Sequence, residues 1–184
     1  MNDVLIGLAK AAILVSLNQP ADFNLSKALQ EHPQLKDKGA VFVTLTKGKK
    51  ERLRGCIGSL EAWRPLYKDV IANAQSAAFK DNRFRPLEKE ELPDIKVEVS
   101  LLSKPVQLHY SDTNDLKKQI TPKKDGVVLR YKNHRATYLP QVWEQLPTFE
   151  TFFSSLCQKA KLPADCLKLH PRIDTYHVTK YKEQ

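Results

Sequence analysis

The sequence predicts an α+β fold, and three observations carry that prediction. Residues 39–58 and 125–140 each hold two runs of alternating, β-branched or aromatic residues joined by a short polar turn, the pattern of a hairpin. Segments with apolar residues at helical spacing lie before, between and after these hairpins. No Gly-rich phosphate loop of the kind that opens parallel doubly wound sheets is present. Hairpin pairing with intervening helices implies an antiparallel β-sheet flanked by helices.

Each element follows in order. Val4, Leu5, Leu8, Ala12 and Val15 form a helical stripe over residues 4–17, with Pro20 after Asn18 as a stop. A short second helix spans Ser26 to His32, before Pro33. In the first hairpin Val41, Val43 and Leu45 alternate with Phe42, Thr44 and Thr46, the loop is Lys47-Gly48-Lys49-Lys50, and the return strand is Arg52 to Ile57. Strict alternation puts Leu53, Gly55 and Ile57 on one face and Arg52, Arg54 and Cys56 on the other, with Arg54 about 7 Å from Cys56 along the strand. Pro65 opens a helix to Phe79 or Lys80 with the inner stripe Leu66, Val70, Ala74, Ala77 and Ala78. Ile95, Val97, Val99 and Leu101 mark a strand, and a helix follows near Asp112 to Ile120. The second hairpin turns at Lys132-Asn133; Pro140 begins a helical turn, and Thr148 caps a helix bearing Phe149, Phe152, Phe153, Leu156 and Ala160. The tail RIDTYHVTKYKE reads as one last strand.

The chain of 184 residues suits one domain, or one domain of two lobes. A chain of this size buries about 70% of its unfolded surface and needs no staple. No apolar run approaches the roughly 20 residues of a membrane span, and the first segment carries Lys10 within it, unlike a signal peptide. A cytoplasmic protein with no membrane association is the expectation. The three cysteines, Cys56, Cys157 and Cys166, are too few and unevenly spaced for a disulfide framework, and the histidines show no metal-ligand spacing, so no metal site is expected. The net charge of +9 admits a nucleic-acid partner, but the cations are spread over many turns with no basic helix or stacking aromatics, which fits a solvated surface.

The stretch RLRGCIGSLEAW sets Cys56 between two glycines and two arginines. Nearby cations favour a thiolate, the nucleophilic form, but a free cysteine is equally at home as a small buried hydrophobe. Gly55 and Gly58 leave room for a ligand or for a closely packed neighbour. Arg54, Arg83 and Arg135 are candidate anion clamps because a guanidinium matches carboxylate and phosphate. Asp81 is placed to orient Arg83, or to tie it into the loop. His134 and His109 are candidate bases, and Glu98 and Asp125 candidate acid–base groups, against the plainer reading of solvated strand and turn positions. Trp63, Trp143 and Phe149 to Phe153 read as core or interlobe packing rather than a cofactor box.

The segments GAVFVTL (39–45), LRGCIGSLE (53–61), AAFKDNRFRPL (77–87), VEVSLLS (97–103), DGVVLRYKNHRATYLPQVWEQLP (125–147) and FFSSLCQKAKL (152–162) occur in the order found in the AMMECR-type domain family, and the chain resembles that family, including its AmmeMemoRadiSam system protein A-like members. One departure is Lys161, where the family usually has a glycine as a helix C-cap. The resemblance implies a single domain of two lobes with an interlobe cleft and the LRGCIG segment at or near it. On the chemistry of the residues themselves, Cys56, Arg54, Gly55, Ile57, Gly58, Asp81, Arg83, His134 and Arg135 are the candidate site residues. The resemblance names no reaction or cofactor. Three functions follow as expectations: a cytosolic enzyme or enzyme component binding a small anionic ligand, with Cys56 as nucleophile or ligand contact; a non-catalytic module for a Memo-like or radical S-adenosylmethionine partner protein; and nucleic-acid binding.

Overall fold

A computed structural model describes residues 1–183. The chain divides into two compact units, Met1–Leu102 with the C-terminal strand, and Ser103–Val178. Each unit carries one four-stranded antiparallel sheet, and helices supply the rest of its core.

In the first unit, α1 (Asn2–Ser16), α2 (Leu25–Glu31), β1 (Ala40–Lys47), β2 (Arg52–Gly58), α3 (Leu66–Phe79) and β3 (Ile95–Leu102) precede the distant β8 (Val178–Lys182), and the strand order is β2-β1-β3-β8. Val41, Val43, Leu45, Val97 and Val99 form the buried face of this sheet, against Val70, Ala74 and Ala77 of α3 and Leu5, Leu8, Ala9 and Ile13 of α1. The buried stripe of α1 therefore excludes Val15, which is exposed.

The return strand departs from strict alternation. Leu45 lies opposite Gly55 but Thr46 opposite Leu53, so Arg54 is an extra residue in a bulge. Directly opposed residues share a face, so Leu53 passes to the side of Thr46, Thr44 and Cys56, away from Gly55 and Ile57, where alternation had placed it. There it is exposed. Gly55 stays on the inner face, and an added Cβ would sit 2.1 Å from the carbonyl oxygen of Ala77 on α3. At Gly58 the same atom would lie 2.2 Å from the Phe42 ring. Both glycines thus answer to packing within the unit.

The second unit contains β4 (Val106–Leu108), α4 (Thr113–Gln119), β5 (Gly126–Tyr131), β6 (His134–Tyr138), α5 (Phe149–Lys159) and β7 (Arg172–Tyr176), with strand order β4-β7-β5-β6. Asp112 and Thr148 cap α4 and α5 through their side chains. One face of the sheet packs Leu129, Ala136 and Ile173 against Phe152, Phe153 and Leu156 of α5, with Trp143 stacked 3.7 Å from Phe152. Trp143 and the phenylalanines are core, as expected, but Trp63 is 63% exposed, with the Arg64 guanidinium 4.6 Å from its ring. The segment 59–64 lies outside any strand or helix, so nothing on its own element covers the indole.

Two expectations about the C-terminal part are corrected. The tail is two strands rather than one: β7 pairs in the second sheet and β8 in the first. The sequence pattern sees only that both halves alternate, not which neighbour each finds. Cys157 and Cys166 form a disulfide, with Cα atoms 5.7 Å apart. After α5 the chain reverses at Lys161 (φ 61°), where Leu162 N–H bonds Cys157 C=O and Lys161 N–H bonds Gln158 C=O, and this brings Cys166 back within bridging range. Lys161 therefore occupies the left-handed position at which a glycine was expected. Cys56 is the remaining, free thiol.

Candidate functional site

β2 is an edge strand, and edge strands leave backbone groups unpaired. Cys56 lies opposite Thr44, and its N–H and C=O are taken up from the far side by the turn after α3. Asp81 makes this possible. In the turn Asp81–Phe84 its Oδ1 accepts the Arg83 N–H at 3.2 Å, the Asx geometry in which a short side chain bonds the backbone two residues on. The same carboxylate accepts Arg83 Nε (2.9 Å) and Nη2 (2.6 Å), and its Oδ2 accepts the Cys56 N–H at 2.9 Å. Arg83 Nη2 also reaches the Cys56 carbonyl at 3.4 Å. The Arg83 hydrogen bonds hold the Asp81 carboxyl far below the usual carboxylate range despite its burial, and Asp81 in turn raises Arg83 above its ordinary value. Asp81 thus orients Arg83 and ties it into the loop at once, the two readings being one arrangement. The Arg83 side chain stays 52% exposed beside a half-buried thiol, which accepts a bond from Thr44 Oγ1 at 3.3 Å.

Arg54 is arranged differently. From the bulge it lies 12% exposed, giving Nε (3.0 Å) and Nη2 (2.9 Å) to Glu91, which also receives Lys47 Nζ at 2.9 Å and the Glu88 N–H at 3.1 Å. These bonds, Arg54 first, hold Glu91 down to about 2. Arg54 is an internal ion pair rather than an open clamp, although its buried Nη1 has no partner among the described residues. Phe84 links the two arginines, with guanidinium carbons 5.9 Å (Arg54) and 5.4 Å (Arg83) from its ring.

These features meet in a chain with recognisable relatives. The AMMECR1 family model matches residues 6–181. The chain belongs to the AMMECR1 family. It is 38% identical to a protein of Saccharolobus islandicus over 97% of this chain and 80% of the relative. It is 35% identical to one of Sulfolobus acidocaldarius, over 100% of this chain and 85% of the relative. Among solved structures it resembles the uncharacterized protein PH0010 from Pyrococcus horikoshii, with a TM-score of 0.75 and 29% identity over 100% of this chain and 91% of that one.

In this AMMECR1-family chain the remaining candidate residues fall as follows. Ile57 lies opposite Val43 against the first core, and Gly58 lies opposite Phe42. Glu98 shares a row with Thr44 and Cys56 across β3, β1 and β2, but pairs with Lys182 (3.1 Å) and Lys180 (3.7 Å). The unit that holds Cys56 contains a single histidine, His32, at the end of α2. His134, Arg135, His109 and Asp125 all belong to the second unit. There His134 Nδ1 lies 2.9 Å from the Ala160 carbonyl, and Asp125 accepts the Thr121 N–H at 2.7 Å. Among the described residues no group of three or more His, Cys, Asp or Glu side chains is placed to hold a metal ion, and no helix is long and apolar enough to cross a membrane.

Sequence reading missed Thr44, Phe84 and Glu91. Phe84 directly follows Arg83, and its place in a polar turn was the available signal. Glu91 had none, because it reaches Arg54 across 37 residues. Also missed was a hub beneath the end of β2. Asp69, fully buried, accepts the Val41 N–H (2.9 Å), Ser59 Oγ (2.7 Å), Arg64 Nε (2.7 Å) and Asn73 Nδ2 (3.0 Å). It ties α3, β1 and the exit from LRGCIG together, so the segment after Gly58 is held at its root.

Proposed function

We propose that the protein binds a small anionic molecule on the outer edge of β2, with Arg83 as the anion contact, Asp81 as its positioning residue and the Cys56 thiol beside the bound group. The observation that carries this reading is the Asp81 carboxylate, which fixes the Cys56 backbone and the Arg83 fork in one hydrogen-bonded unit while leaving the guanidinium half exposed. A pre-oriented guanidinium loses less freedom when an oxyanion docks. Lys49, Lys50 and Arg52 in the neighbouring hairpin add positive potential that draws anions to the surface. Cys56 serves as a contact to the ligand, or as its reactive partner if the ligand brings its own proton acceptor.

The test uses the single free thiol. Iodoacetamide modification of Cys56 should slow in the presence of inorganic phosphate in the wild-type protein and not in Arg83→Gln. Equal rates with and without phosphate in the wild type would remove the proposal.

A second reading rests on its own observation. Leu60 (38%) and Trp63 (63%) are exposed in the segment that follows LRGCIG. Aromatic side chains in such positions suit a protein contact, and a Memo-like or radical S-adenosylmethionine protein is the partner class the family resemblance suggests. Crosslinking to such a partner should be reduced in Trp63→Ala; a yield unchanged by that substitution counts against this surface.

A further inference from the structure

The β1–β2 hairpin carries a concavity of about 450 Å³ lined by Lys47, Gly48, Lys49, Lys50, Arg52, Leu53 and Arg54. That volume falls within the range of small-ligand sites. Five of these seven residues are cations, and no carboxylate lines the cavity. The one acidic residue of the loop, Glu51, is drawn off to Lys96 on β3, at 3.1 Å. Lys47 and Arg54 share a single carboxylate, Glu91. Lys49, Lys50 and Arg52 are exposed and pair with no carboxylate among the described residues. Five cations against one carboxylate leave an excess of four positive charges. Arg52 also lies directly opposite Lys47, a like-charge pairing that destabilises a sheet. The bulge at Arg54 completes the site. Bulges re-aim side chains next to functional sites, and this one turns Leu53 to the outer face, where it is 44% exposed and gives the cavity an apolar wall. At Gly48 an added Cβ would meet nothing within 4 Å, so the loop end of the cavity stays open.

We infer that this concavity binds a phosphate-chain anion, with Lys49, Lys50 and Arg52 as its contacts and Lys47 and Arg54, both fixed by Glu91, as standing positive charge beside them. The site does not depend on the Arg83 contact. A single phosphate carries about two negative charges and offsets only half of the excess, whereas a chain of three offsets it fully. The two lysines meet the chain as mobile point charges and Arg52 as a planar fork of donors. The site selects for chain length, and tripolyphosphate is its simplest probe.

The experiment is calorimetric titration of the full-length Arg83→Gln variant, which lacks the other anion contact, with tripolyphosphate and inorganic phosphate at fixed ionic strength. Tripolyphosphate should bind at least roughly tenfold more tightly than phosphate. Adding Lys49→Gln/Lys50→Gln should weaken it at least roughly tenfold, the loss of two charge-assisted contacts. Adding Arg52→Lys, which keeps the charge and removes the fork, should weaken it several-fold. All three side chains are exposed, so the thermal midpoint should not move. Adenosine triphosphate carries the same chain: a margin over tripolyphosphate that Leu53→Ser removes assigns the apolar wall to the base, and equal affinities assign the site to the free chain. Residue-resolved acetylation gives a local readout. Tripolyphosphate should slow acetylation of Lys49 and Lys50, and not of the exposed Lys27 and Lys168, in the wild type and in Arg83→Gln alike. Failure of the Arg83 reading would leave these outcomes as they are. The inference is overturned if Arg83→Gln binds no tripolyphosphate at millimolar concentration, or if both hairpin variants bind as their parent does. It is equally overturned if Lys49 and Lys50 are protected no more than Lys27 and Lys168, or only while Arg83 is present.

Discussion

Each unit holds an arginine against a buried aspartate two residues away, and the two clamps differ in how fully the carboxylate is matched. Asp81 receives two backbone N–H groups and two guanidinium nitrogens. Asp174 receives one hydrogen bond and one looser ion pair. The difference comes from where each residue sits. Asp81 occupies a turn beside a strand edge, so free N–H groups of its own turn and of Cys56 lie within its reach. Asp174 is in the middle of β7, which is paired on both sides by β4 and β5, and its neighbours' N–H groups are committed to the ladders. The first clamp is structural cement with an exposed rim; the second is left with capacity to spare.

Acid should separate the units most strongly. Asp81 and Glu91 both titrate below their ordinary values in the folded protein. Their contribution to stability is therefore complete above the unfolded-state carboxylate range and is lost as pH falls toward the folded values. Between about pH 5 and 2 the first unit should lose on the order of 2–3 kcal/mol from Glu91 alone, with Asp81 adding to it. Urea unfolding across that range checks this, and Glu91→Gln should flatten the Glu91 part of the slope.

Asn in place of each aspartate tests the comparison directly. Asp81→Asn, which leaves a buried site with four donors and no charge, should cost about 3 kcal/mol. Asp174→Asn should cost about 1 kcal/mol or less, because its partners are half exposed and one oxygen is already unmatched. Equal losses in urea titrations would erase the distinction between the clamps.

Reducing the Cys157–Cys166 bridge should lower the stability of the second unit by roughly 2.5 kcal/mol, the chain entropy of a loop of about ten residues. Hydrogen exchange should show the loss in β5, β6 and α5 and leave the Asp81 clamp as protected as before. The smallest effect concerns Lys161. Its left-handed backbone costs a side chain about 1 kcal/mol relative to glycine, so Lys161→Gly should raise the thermal midpoint by a few degrees.

Much of the fold was legible. The stripe of α3, the Thr148 cap of α5 and both hairpin turns follow from local preference and from periods of 3.6 and 2, which need no knowledge of distant residues. The Asp81–Arg83 pairing was legible for the same reason, since two residues separate its members in one turn. The bulge at Arg54 was not, because the extra residue is defined only by what Leu45 and Thr46 face on the partner strand. Glu91 was not, because its partners lie 37 and 44 residues away. The exposure of Trp63 was also hidden: an indole in sequence predicts burial, and only the absence of a covering element on its own segment leaves it in solvent.

The sequence by itself determined the main helices, both hairpins, the strand from Ile95 and the family, because each depends on residues a few positions apart. Tertiary structure alone decided that the tail splits between two sheets, that Cys157 meets Cys166, that Arg54 is buried against Glu91 while Arg83, paired with Asp81, keeps an exposed face, and that Arg130, Arg135 and Arg172 stand in one row. Apart from the Cys157–Cys166 bridge, whose members are nine residues apart, these depend on pairings between distant segments, set by which surfaces bury together. Strand register turns a spacing of dozens of residues into a few ångströms.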